Sequence, residues 1–114
     1  MAEAEEAVAG AAGAWSAGTV DRRVVAGRVF VRTAEDEPWR QIEASDRTRT
    51  VAVRPFSQAY FDMVRAAPEL RQVLRAFEHV VVAGVRANVA LAPDGAERLS
   101  HSDIETLVRD FRGH

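Results

Sequence analysis

A chain of 114 residues, 47% hydrophobic and 28% charged, is sized and composed for one globular domain with its own core. It has no cysteine, which excludes a disulfide framework, a thiolate metal site and a cysteine nucleophile; no apolar run reaches the ~18 residues of a membrane span. The formal net charge of −2 disfavours bulk attraction to nucleic acid or anionic lipid.

Residues 1–19 are rich in Ala, Gly and Glu, side chains too small or too polar to bury much area. They read as a flexible tail or linker, with Trp15 as the one large apolar group, and residues 20–114 read as a single domain. No basic segment precedes an apolar one at the start of the chain, so no signal peptide is expected. The expected compartment is cytoplasmic, or the cell envelope if the chain is an excised domain.

Val24, Val25, Val29, Phe30 and Val31 give a β-branched run in which Gly27 marks a bulge or bend. Glu35-Asp36-Glu37-Pro38 is a polar turn, and Trp39 to Glu43 alternates as a return strand. Ser45-Asp46-Arg47 turns again, Val51 and Val53 sit on a half-buried strand, and Pro55 ends it. Ser57 is an N-cap, with Phe56 and Phe61 spaced as a hydrophobic staple around it. Tyr60, Phe61 and Val64 form an apolar stripe read as core. Pro68 would clash with the Val64 carbonyl, so this helix stops near Ala66 and Pro68 opens a second one. Leu70, Val73, Leu74 and Phe77 recur at i, i+3, i+4 and i+7 on that helix, leaving Arg71 and Arg75 on its wet face.

His79 to Ala83 and Asn88 to Leu91 read as a hairpin, with Gly84 opening its turn. Ser102-Asp103-Ile104-Glu105 has capping-box spacing. Ile104, Leu107, Val108 and Phe111 form the next stripe, with Gly113 as C-cap. The order is β-β-β-α-α-β-β-α. Short turns between strands imply an α+β fold: an antiparallel sheet of about five strands with helices on one side or end.

Chemistry is sparse. His79, His101 and His114 lack ligand spacing, so no metal is assigned. His101 lies between Ser100 and Ser102, but neighbours on a capping turn point apart, which disfavours a nucleophile–base pair. The glycines form neither a dinucleotide fingerprint nor a P-loop. The carboxylates Glu35 to Glu37 lack calcium-loop spacing. No cofactor, catalytic residue or metal ligand is assigned, and the chain reads as a non-enzyme.

All fifteen basic residues are arginine and none is lysine. That composition fits bidentate recognition of carboxylate or phosphate, but the favoured reading is a GC-rich coding bias, which also accounts for the abundant alanine. Arg22, Arg23, Arg28 and Arg32 decorate the first strand run, and Arg47, Arg49 and Arg54 the third. If these strands were neighbours, an arginine-rich sheet face would follow, with Trp39 and Tyr60 for stacking, as on a single-stranded nucleic-acid surface.

Gly27-x-x-Phe30, Trp39, Phe56-Ser57-x-Ala59-Tyr60-Phe61, Pro68-Glu69-Leu70 and Val80-Val81-Val82 together span residues 22–111. In these positions the chain resembles a small accessory domain found C-terminal in bacterial proteins with von Willebrand factor A-type and inter-alpha-trypsin-type domains. The A-type domain and its metal-adhesion motif are missing here, so adhesion and metal binding do not carry over. The resemblance implies a non-catalytic module presented by, or packed on, another protein, and it brings in a cell-envelope setting.

The leading expectation is a protein–protein interaction or accessory domain whose partner is another protein or a second copy of the chain. Arg71 and Arg75 on the second helix, and Val89 and Leu91 on an exposed hairpin edge, are the candidate partner-binding residues. The alternative is a nucleic-acid-binding regulator using Arg28, Arg32, Arg47, Arg49 and Arg54.

Overall fold

The computed structural model describes residues 21–113; the stretch 1–20, including Trp15, and His114 lie outside the described residues. The fold is α+β, with a six-stranded mixed sheet and three α-helices among the described residues. The first β-branched run is two strands, β1 (Asp21–Val25) and β2 (Arg28–Arg32), rather than one strand with a bulge. Ala26 and Gly27 have φ of 55° and 76°. Positive φ at both central residues is what a two-residue type I′ turn demands, and its twist matches the flanking strands. Val25 accordingly pairs with Arg28.

The acidic loop returns the chain into β3 (Trp39–Gln41), antiparallel to β2 as expected. Next comes β4 (Arg49–Val53), followed by α1 (Gln58–Ala66). Ser57 caps α1, its hydroxyl accepting from the Tyr60 N–H, and the helix stops before Pro68. Pro68–Leu70 forms a 3₁₀ turn that runs into α2 (Arg71–Ala76). Strands β5 (Val80–Val82) and β6 (Ala87–Leu91) form the expected antiparallel hairpin. Its turn depends on Gly84: a Cβ there would lie 1.9 Å from the Ala87 carbonyl oxygen and 2.6 Å from Phe111 Cδ1.

Helix α3 (His101–Arg112) is capped by Ser100, which accepts from the Asp103 N–H, and not by Ser102. The helix therefore begins two residues earlier than the Ser102–Glu105 spacing suggests. Gly113 ends it in the left-handed region, its N–H bonded to the Arg109 carbonyl.

The strand order is β1-β2-β3-β5-β6-β4. The expected all-antiparallel sheet is corrected in two places, where β3 runs parallel to β5 and β4 parallel to β6. The late hairpin inserts between β3 and β4. Both its strands are buried throughout, which is the pattern of interior strands apolar on both faces.

All three helices cover one face. Side chains alternate along strands, so the registers put Phe30, Val80, Val82, Val89, Leu91, Val51 and Val53 on that face. They join Ala59, Tyr60, Met63, Leu70, Val73, Leu74, Phe77, Ile104, Leu107, Val108 and Phe111 from the helices in one apolar cluster. Every apolar position expected on α2 and α3 is buried there.

Candidate functional site

Among the described residues, no helix lies on the other face of the sheet. The registers align its residues into two rows. One runs Val24, Val29 and Ile42 across β1, β2 and the residue that follows β3, Ile42 donating its N–H to the Val29 carbonyl at 3.1 Å. The other crosses all six strands as Arg22, Val31, Arg40, Val81, Ala90 and Ala52. Val81 and Ala90 are buried but stand outside the apolar cluster of the helix side.

Toward β6 and β4 this face is partly roofed by the link 42–48. Asn88, almost fully buried, donates from Nδ2 to the Ser45 carbonyl at 3.2 Å and to Thr50 Oγ1 at 3.3 Å, while its Oδ1 accepts from the Gly84 N–H. Arg40 holds the same link through the Ala44 carbonyl and Asp46. Toward β1 the face is open: Val24 is 64% exposed and Ile42 54%. The signal for this surface was present in the sequence. Val24-Val25 and Val29-Phe30-Val31 are apolar at consecutive positions, which in strands means apolar residues on both faces, while helices cover only one.

The candidate partner-binding residues separate. Arg71 and Arg75 are exposed on α2. Val89 and Leu91 are not on an edge: β6 lies between β5 and β4, and both side chains are buried in the core. The sheet's outer strands are β1 and β4. Half of β4's free edge is occupied, since the Arg54 N–H bonds the Ala96 carbonyl and the Ala96 N–H bonds the Ala52 carbonyl, both at 2.9 Å.

The arginines do not share a wet face. Arg28, Arg32 and Arg49 lie on the helix-bearing side, and β2 and β4 are separated by three strands. Arg28 bonds Gln41 Oε1 at 3.0 Å and sits over the Phe111 ring; Arg32 pairs with Asp21 at 3.1 Å over Trp39. Arg49 pairs with Asp110 at 2.9 Å and Arg54 with Glu97 at 2.7 Å. Arg47 is in the link, its N–H bonded to Ser45 Oγ. Tyr60 lies on α1 and is buried in the core, as its place in the apolar stripe predicts, and does not stack beside them.

Two carboxylates are tuned by these pairs. The Arg112 guanidinium, bonded to Glu69 through Nε at 2.7 Å and NH2 at 2.8 Å, holds the Glu69 carboxyl below its ordinary range and is itself raised. Asp110 is likewise lowered, chiefly by its hydrogen bond from Arg49, with Arg86 at 3.7 Å adding to it.

At the start of α1 the staple does not close. Phe56 has φ of 62° and is 72% exposed, with its ring against Tyr60 at 5.3 Å. Phe61, expected in the core, is 48% exposed and meets Tyr60 edge-on.

A cleft of about 300 Å³ opens at the other end of the sheet. Arg23, Arg32, Trp39, Phe77, His79 and the loop carboxylates Glu35 to Glu37 line it. Arg23 lies 4.6 Å from the Phe77 ring centre and 5.6 Å from that of Trp39. His79 gives its backbone carbonyl to the Trp39 N–H, and His101 pairs with Glu105 on the surface of α3. Among the described residues no group of three or more His, Asp or Glu is placed to hold a metal ion, and no helix is long and apolar enough to cross a membrane.

Comparison with known proteins gave no matching family model, no matching curated protein and no matching solved structure.

Proposed function

We propose that the chain is a non-catalytic protein–protein interaction or accessory domain that docks through the helix-free face of its sheet. One observation carries the reading. Val24 on β1, Val29 on β2 and Ile42 just past β3 align on a face that carries no helix among the described residues, and Val24 and Ile42 are more than half exposed. Contiguous exposed apolar surface on a small domain marks an interaction site more often than chance scatter does. Among the described residues no strand pairs with the outer edge of β1, and such an edge offers backbone groups to a partner strand. Arg22 and Arg40 flank the row and supply planar donors at its rim. The comparisons add nothing to the resemblance to von Willebrand-type accessory domains, and the reading rests on this surface.

The test is site-specific photo-crosslinking in the source cells. A photoreactive residue at Val24 or Ile42 should give one stoichiometric adduct, with another protein or a second copy of the chain; the same residue at Arg71 should give none. Val24→Glu with Ile42→Glu should abolish the adduct while leaving the circular dichroism and urea midpoint of the purified protein unchanged. Equal adducts from all three positions, or binding that survives the double substitution, would remove the sheet face from the proposal.

A further inference from the structure

We infer that the cleft between the β2–β3 loop and the joint of α2 and β5 binds a small zwitterion of the free α-amino acid class. Arg23 would take its carboxylate and the Glu35-Asp36-Glu37 loop its ammonium. The inference is independent of the docking face, because Arg23, Arg32 and Trp39 lie on the helix-bearing side of the sheet.

Size sets the first limit. A volume of about 300 Å³ is at the low end for ligand pockets, which suits a metabolite and not a nucleotide or a folded peptide. Charge sets the second. The walls carry both signs: Arg23 and Arg32 on the strands, and Glu35, Asp36 and Glu37 on the loop, with Glu78 and His79 at the joint. A simple anion entering the cleft meets the loop carboxylates, and a simple cation meets the arginines. A ligand that carries both charges meets an opposite charge on each wall.

The two arginines have different roles. Arg32 is committed to Asp21, and its guanidinium carbon stands over Trp39, 4.7 Å from the ring centre; it forms wall. Arg23 is exposed, and among the described residues its one hydrogen bond is a long one, 3.4 Å, to the Ala76 carbonyl. A guanidinium has five N–H donors, so Arg23 keeps a free edge for a carboxylate. Phe77 and Trp39 behind it hold the plane in place, which lowers the ordering cost of a bidentate contact. On the loop, Glu37 is steadied by Thr33, whose hydroxyl donates to it at 2.7 Å. Ala76 adds a small apolar group to the lining beside the two arginine-covered rings.

The chain has two tryptophans, so a Trp15→Phe background makes Trp39 the sole indole and a direct reporter. The purified protein is titrated with a panel of the proteinogenic amino acids, read by Trp39 emission and by thermal shift. At least one should give a saturable change. Its two half-ligands, the amine without the carboxylate and the carboxylate without the amine, should each bind at least about tenfold more weakly, as expected for loss of one charge-assisted contact. Arg23→Gln should weaken binding by at least about tenfold, and Arg23→Lys, which keeps charge but not the planar fork, by less. Glu35→Gln with Glu37→Gln, on the exposed loop, should weaken it without lowering the melting temperature. No response to any amino acid at about 10 mM, roughly tenfold above the ~1 mM dissociation constant expected of so small a ligand, would overturn the inference. So would a carboxylate half-ligand that binds as well as its parent, or unchanged binding in both Arg23 variants.

Discussion

Replacing Gly84 by alanine should be the most damaging single-methyl change in this protein. The added Cβ would stand 1.9 Å from the Ala87 carbonyl oxygen and 2.6 Å from Phe111 Cδ1. Neither neighbour can yield cheaply. Ala87 is the first residue of the interior strand β6, and Phe111 is buried beneath Arg28. The turn itself is tied to α3, by the Val85 N–H to the Phe111 carbonyl at 3.0 Å and the Arg86 N–H to the Asp110 carbonyl at 2.8 Å. Relief requires the turn to move by more than 1 Å, on the general scale of van der Waals contact, and that separates the Gly84 N–H from Asn88 Oδ1. Overpacking costs about 1–3 kcal/mol. Leaving the buried amide of Asn88 short of a partner costs about 1–3 kcal/mol more. The expected loss is about 3–5 kcal/mol, a large part of the ~5–15 kcal/mol that holds a domain together. Gly27→Ala is the control. A Cβ there meets nothing within 4 Å, but φ is 76°, so only the left-handed conformation is penalised, by about 1–2 kcal/mol. Urea unfolding followed by circular dichroism measures both. A Gly84→Ala loss below about 1 kcal/mol, or a Gly27→Ala loss larger than it, would refute the steric argument.

Ser100→Ala should cost about 1 kcal/mol and Ser102→Ala only a few tenths, by the same urea assay, because Ser100 alone caps α3. Asn88→Ala should cost about 2–3 kcal/mol, since its side chain satisfies the Gly84 N–H and the Ser45 carbonyl, and amide exchange should quicken in the link 42–48. Glu69→Gln should cost at most about 1 kcal/mol at neutral pH, as its partly exposed pair with Arg112 is screened by solvent. Because the Glu69 carboxyl is lowered in the folded state, that contribution is complete above its ordinary value and fades as pH falls through the folded one. Wild type and Glu69→Gln should therefore converge in stability in acid; a difference that persists or grows there would contradict the assignment.

The helices were legible because each carries its own punctuation. Ser57, Pro68 and Gly113 fix ends locally, and Leu70, Val73, Leu74 and Phe77 fix a face by spacing alone. Strand neighbours were not. Val80-Val81-Val82 shows that a strand is buried on both sides, but nothing local says that it inserts beside Trp39 and leaves Val51 to pair with Val89. That choice is made by long-range packing. The same blindness misplaced Val89 and Leu91 on an edge and gathered the arginines onto one face. Phe56 and Phe61 failed differently: their spacing fits a staple, but the positive φ of Phe56 turns its ring away. The Val24–Val29–Ile42 row became visible only once the helices were seen to share one side.

The insertion of β5 and β6 between β3 and β4 also orders events during synthesis. When residue 66 has been made, β1 to β4 and α1 exist as chain, yet β3 and β4 have no contact surface with each other and each shows a bare interior edge. The sheet closes only when residues 80–91 arrive and pair on both sides at once. Pairings this distant along the chain make for slow folding, and the waiting edges are sites where nascent chains can join one another instead. A chain cut short before residue 80 should thus lose the whole fold and aggregate, even though more than half of its strands have already been made.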